Sequence, residues 1–167
     1  VIVKGLAGKA GILHHFSDFK KFDDRLYFKD SGIIHDKRYI LGLNPELFTE
    51  ERKFRQDRLS IFKDFLKSKN QELKNAKKDR DEDATKKVVI DKIKRLKLSG
   101  SFFNKIELEK IKVERRLKNG TKKMIKSFKI RLPFNHKKIK ERSLLDGVCL
   151  FVTNHTEKQG DNFVFSP

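Results

Sequence analysis

Asp79, Asp81 and Asp83 carry the most suggestive spacing in the chain, because alternating carboxylates open a calcium-binding loop. Such a loop needs Gly at its sixth position for the turn and a bidentate Glu at its twelfth, and here those places hold Ala84 and Ile90. The acidic run reads instead as a solvated break between helices. Gly5-Leu6-Ala7-Gly8-Lys9, after a short strand over Val1–Gly5, imitates a phosphate-binding loop. Two residues rather than four separate its glycines, and Ala10 stands where the metal-binding Ser or Thr belongs. A flexible loop is the better reading. His14, His15, His35, His136 and His155 show no metal-like spacing with one another or with Cys149. Asn119-Gly120-Thr121 and Asn154-His155-Thr156 match the glycosylation triplet. No secretory signal is expected, since Val1-Ile2-Val3 runs at once into Lys4-Gly5, so both triplets read as turns. Asp23-Asp24 beside Arg25 reads as a solvated turn. No catalytic residue, metal site or cofactor is expected within the chain.

The cations are more informative. The 167 residues carry 41 Lys+Arg against 23 Asp+Glu, a net charge of +18, which favours a polyanionic partner. No apolar run approaches the ~20 residues that span a bilayer, so DNA or RNA is expected rather than a membrane. Basic residues cluster late. Lys92, Lys94, Arg95 and Lys97 precede Lys110, Lys112, Arg115, Arg116 and Lys118, and then Lys122, Lys123, Lys126, Lys129 and Arg131. A second group, Lys137, Lys138, Lys140 and Arg142, follows. Such point charges neutralise phosphates without reading sequence. The expected DNA-binding set is Lys94, Arg95, Lys97, Arg115, Arg116, Lys118, Lys122, Lys123, Lys126, Lys129, Arg131, Lys137, Lys138, Lys140 and Arg142. A merely solvated basic face is the plainer alternative. With one cysteine no internal disulfide is possible, and a cytoplasmic setting is expected.

The elements that must hold these charges are α+β. The chain is only 37% hydrophobic but has 15 Phe, which points to a modest, Phe-rich core. Phe16, Phe19 and Phe22 recur at one helical face. Leu26-Tyr27-Phe28, a turn at Asp30-Ser31-Gly32, and Arg38 to Leu43 suggest a hairpin that Asn44-Pro45 ends. From Glu46 to Lys78 a long helix carries Leu59, Phe62, Leu66 and Leu73 on one stripe, and a second helix carries Val89, Ile93 and Leu96. The pair reads as an antiparallel hairpin whose narrow stripe suits a projecting arm. Ile106 and Leu108 alternate in one phase and Ile111, Val113 and Leu117 in the other, which places a β-bulge at Glu109-Lys110. Asn119-Gly120 then turns the chain into a return strand ending at Pro133. A basic connector, His136 to Arg142, leads to the longest apolar run. There Asp146-Gly147 feeds Val148 to Thr153, a strand expected to be buried on both faces with Cys149 inside it.

Three features together resemble the DDE transposases of insertion sequences, in the branch with an insertion before the final catalytic Glu. They are Lys37 to Glu46 followed by Glu51 to Leu59, the Arg142 to Asn154 segment, and the order helix pair, Asn-Gly hairpin, strand. The resemblance implies a partial ribonuclease-H-like domain. Its core region would be 1–45, with a helical hairpin over 46–98 and a β-hairpin over 99–135 inserted, and a connector and return strand over 136–167. It implies an interior piece, both ends of which look cut. Two metal-binding Asp would precede Val1 and the Glu would follow Pro167, so the divalent metal (Mg) of the full enzyme has no ligand here and Asp146 is a turn residue. Implied partners are DNA and a second subunit through the insertion. Two rivals stand beside it: a non-enzymatic nucleic-acid-binding module, and a helical-hairpin arm for an acidic protein.

Overall fold

A computed structural model describes residues 19–117 and 119–155. The strand and loop expected over Val1–Gly11 and the residues Phe16, His14, His15, Lys118 and Thr156 lie outside them. The chain is mixed α+β and divides into two compact units, one made of 1–52 with 143–167 and the other of Lys53–Arg142.

The first unit is an antiparallel sheet in the order β1-β2-β3-β6, with β1 at Lys20–Lys21, β2 at Tyr27–Ile34, β3 at Lys37–Leu43 and β6 at Val148–Thr153. The helix expected through Phe19 and Phe22 is replaced by β1, which pairs with Tyr27 and Phe28. Asp23 turns the chain, its carboxylate accepting from the N–H groups of Arg25 and Leu26. The β2–β3 turn is not at Asp30-Ser31-Gly32 but at His35-Asp36, both at positive φ (49° and 60°), as a two-residue primed turn requires. Asp30 to Ile33 is a bulge: the register shifts there, and the Asp30 carboxylate accepts from Gly32 N and pairs with Arg38 at 2.6 Å. Local carboxylate bonding imitates a turn signal in sequence while serving a bulge in space.

β3 is central, with Arg38 to Gly42 all buried. Among the described residues β6 pairs with β3 alone and leaves Cys149, Phe151 and Val152 exposed, so the expectation of a strand buried on both faces, with Cys149 inside, fails. An apolar run is a fully buried strand only when neighbours flank it, and this one ends the described sheet. Gly147 enters β6 at φ +63°, and Asp146 before it is a turn residue that is fully buried.

A helix, α1 (Pro45–Lys74), begins in the first unit and continues into the second. Asn44 caps it, its Oδ1 accepting from Glu46 N and Leu47 N. In the second unit α1 is followed by α2 (Glu82–Arg95), which Asp81 caps through Ala84 N. The acidic run is a helix start, and among the described residues no group of three or more His, Cys, Asp or Glu could hold a metal ion. The helical stripe is not a projecting arm. Phe62, Leu73 and Val89 are almost wholly buried and form one core with Ile93, Leu98, Phe102, Phe103, Ile130 and Leu132. Phe62, Phe103 and Phe134 meet as a triangle of rings with centroids 4.8, 5.4 and 6.4 Å apart, distances at which aromatic pairs attract. A narrow stripe suffices because a sheet supplies the other wall. The expected connector over His136 to Arg142 is a third helix, α3 (His136–Ser143), with Asn135 capping Lys138 N.

Candidate nucleic-acid interface

Seven of the fifteen expected DNA-binding residues lie on a two-stranded ribbon in the second unit, β4 (Glu107–Arg116) and β5 (Lys122–Arg131). Leu117 N–H bonds Thr121 O, Gly120 N–H bonds Leu117 O, and Gly120 sits at φ +79°. That is a three-residue hairpin loop whose last residue needs the left-handed region. The strands pair one-to-one from Glu107↔Arg131 to Arg116↔Lys122, so no bulge exists at Glu109-Lys110. The next pairing, Phe103↔Phe134, is offset by one residue, which puts the irregularity at the ribbon's base. The phase change seen in sequence is real but has another cause. Near the base the ribbon buries the even-numbered Phe128 and Ile130; nearer the tip it buries the odd-numbered Ile125 and Ser127.

The helix pair makes that switch possible by straddling the edge of β5. On the odd side the Ser127 hydroxyl donates to Leu73 O (2.7 Å) and Arg115 donates to Asn75 O. At the edge itself, Lys126 N–H bonds the Asp79 carboxylate (2.8 Å) and Lys126 O accepts from Arg80 N (2.9 Å). Asn70 binds both the N–H (2.7 Å) and the C=O (3.0 Å) of Ile130. On the even side Lys110 lies near Glu82. The Glu82 carboxyl is held below its ordinary value, first by its hydrogen bond to Lys86 and in smaller part by the field of Lys110.

Strand register sorts the cations into two faces. Even-numbered positions carry Lys110, Lys112, Arg116, Lys122 and Lys126, all exposed, with one carboxylate, Glu114, bridged to Lys122 at 2.9 Å. Odd-numbered positions carry Arg115, Lys123, Lys129 and Arg131 with two carboxylates, and Arg131 is bridged to Glu109 at 2.8 Å. The even face is therefore the more purely basic. Lys110 and Lys112 belong to it by pairing with Phe128 and Lys126, which the sequence does not disclose. Of the other expected cations, Lys118 lies outside the described residues, Lys97 follows a helix, and the rest are on helices. Lys94 and Arg95 occupy the last turn of α2, where they also complement the helix dipole. Lys97 follows at φ 51°, in a cap where Leu98 N–H returns to Ile93 O. Lys137, Lys138, Lys140 and Arg142 are exposed on α3, and Lys138 pairs with Glu141 at 2.8 Å.

Desolvation raises the pKa of the Cys149 thiol, whose Sγ lies 3.5 Å from Gly42 O. Among the described residues no helix is long and apolar enough to cross a membrane. No protein-family model, no curated protein and no solved structure matches this chain.

Proposed function

We propose that the second unit holds DNA by its phosphate backbone, and that the chain is an interior stretch of a DDE transposase in which this unit is the inserted DNA-holding element. The observation that carries the first half is the even face of the ribbon, five exposed cations with a single carboxylate among them. Cations repeating every second residue along one face of the ribbon can follow phosphates without reading bases.

The transposase half rests on the resemblance of Lys37 to Leu59 and Arg142 to Asn154. Three features support it. Asn44-Pro45 stands at a strand-to-helix transition, Asp146-Gly147 leads into a strand beside β3, and Lys53–Arg142 is one continuous stretch between the two parts of the first unit. In this reading the core is ribonuclease-H-like, and the divalent-metal step belongs to carboxylates outside this stretch. This chain's part is to grip the DNA.

Fluorescence anisotropy with a labelled duplex of arbitrary sequence, over a salt series, tests the reading. The expected result is binding that weakens steeply with salt, varies little with sequence, and is not followed by cleavage when Mg is added. Affinity that ignores salt would defeat the DNA half. A clear preference for double-stranded RNA would favour the binding-module rival.

A further inference from the structure

We propose that the open edge of β4 pairs antiparallel with the same edge of a second copy of this chain, joining two ribbons into a four-stranded sheet. The two edges of the ribbon are treated differently. Asn70, Asp79 and Arg80 occupy the outward groups of β5 at Ile130 and Lys126. Those bonds also fix the phase of the ladder: even-numbered residues of both strands direct their N–H and C=O groups away from the ribbon partner. On β4 these are Leu108, Lys110, Lys112, Glu114 and Arg116. Among the described residues no backbone hydrogen bond from outside the ribbon reaches them. An uncovered ladder of this length is a template for another strand.

The charge order along β4 selects a second copy as the occupant. Glu109-Lys110-Ile111-Lys112-Val113-Glu114-Arg115 is complementary to its own reverse. With a two-fold axis at Lys112, Glu109 faces Arg115 of the second copy, Lys110 faces Glu114, and Ile111 faces Val113, each pair occurring twice. The phase agrees, because Lys112, Lys110 and Glu114 are all outward-directed and form the hydrogen-bonded pairs of the new ladder. Neighbouring registers lose the match. An axis at Ile111 sets Lys110 against Lys112, and one at Val113 sets Lys110 against Arg116. Lys112 meeting its own copy is the one like-charge pair. Glu109 and Glu114 already bridge Arg131 and Lys122, yet their side chains remain about half exposed (48% and 51%), leaving room for a second cation on each.

Sedimentation velocity of the nuclease-treated whole chain, without DNA, tests this independently of the proposed function. The expected result is a concentration-dependent dimer. Lys112→Pro removes an outward N–H and no bond of the β4–β5 ladder, so it should give a monomer with unchanged circular dichroism. Glu109→Arg and Arg115→Glu should each weaken self-association roughly tenfold or more, since each turns attractive cross-strand pairs into repulsive ones on both sides of the axis. An equimolar mixture of these two chains should dimerise again, a rescue that misfolding cannot imitate. A native chain that stays monomeric at every concentration overturns the proposal, as does a dimer that survives Lys112→Pro. A dimer that survives either single reversal, or a mixture that stays monomeric, overturns the register.

Discussion

The side-chain amide of Asn70 hydrogen-bonds both the N–H and the C=O of Ile130, at 2.7 and 3.0 Å, and so stands in for one residue of a missing strand. A helix residue that supplies a donor and an acceptor at this spacing closes the edge of β5 without extending the sheet. Asn70→Ala leaves two part-buried backbone groups without partners. Each orphaned group costs about 1–3 kcal/mol, so a total loss of roughly 2–4 kcal/mol is expected in denaturant unfolding. Asn70→Asp keeps the acceptor for Ile130 N–H but sets a charge against Ile130 O, and should be no better than Ala above the carboxyl pKa. Fast amide exchange at Ile130 in Asn70→Ala would locate the damage, and unaltered protection there would contradict it.

Two glycines at positive φ should respond very differently to alanine. At Gly147 (φ +63°) a Cβ would lie 2.5 Å from Asn44 O and Phe48 N and 2.8 Å from Phe48 Cα, all backbone atoms that cannot move aside cheaply. At Gly120 (φ +79°) nothing lies within 4 Å. Gly120→Ala should cost only the left-handed penalty of about 1–2 kcal/mol. Gly147→Ala adds a backbone clash and should exceed it clearly, loosening the α1 start and the entry to β6 together. Thermal unfolding of the two variants compares them directly, and equal midpoints would refute the ranking.

Much of the fold was legible because its signals are local. Asn44-Pro45 as a helix start, Asn119-Gly120 as a turn, and the apolar positions of α1 and α2 each follow from side chains acting within a few residues. The errors share a different origin. Asp30-Ser31-Gly32 looks like a turn because Asp30 does bond Gly32 N, yet pairing with Arg38 makes it a bulge. The phase slip near Glu109 looks like a bulge because sequence cannot show that helices wrap from one face of the ribbon to the other. Cys149 looks buried because a run of apolar residues does not say how many strands flank it. For the candidate interface, the cations themselves were readable. Their division into faces was not, since it depends on pairing Lys112 with Lys126 across the turn.

Acid should weaken the second unit in part through Glu72. Its carboxyl is held below the ordinary range, chiefly by the Lys69 hydrogen bond at 2.7 Å and further by the charges of Lys69 and Arg80. A depressed carboxyl pKa stabilises the fold at pH values above the unfolded-state pKa. That contribution is lost as pH falls from there through the folded-state value. The side chain is 48% exposed, so solvent screening limits the effect to about 1 kcal/mol at most. Glu72→Gln should flatten this part of the stability–pH curve between neutral pH and the acid limb. A variant curve that merely runs parallel to the native one would exclude Glu72 as a contributor.

The asymmetry of the two ribbon faces yields the sharpest check on DNA binding. Arg116→Ala/Lys126→Ala removes two even-face cations, and Lys123→Ala/Lys129→Ala removes two from the odd face. None of the four forms an ion pair among the described residues, and both doubles lower the net charge equally. A general field would respond identically to both. If the even face follows the phosphate backbone, the first double should lower the slope of log K against log salt by about 2, roughly 0.9 for each lost phosphate contact, while the second changes it little. Both should weaken binding without altering any preference among duplex sequences, because phosphate contacts carry none. Equal slopes for the two doubles would reduce the interface to net charge alone, and a larger effect from Lys123 and Lys129 would move it to the opposite face of the ribbon.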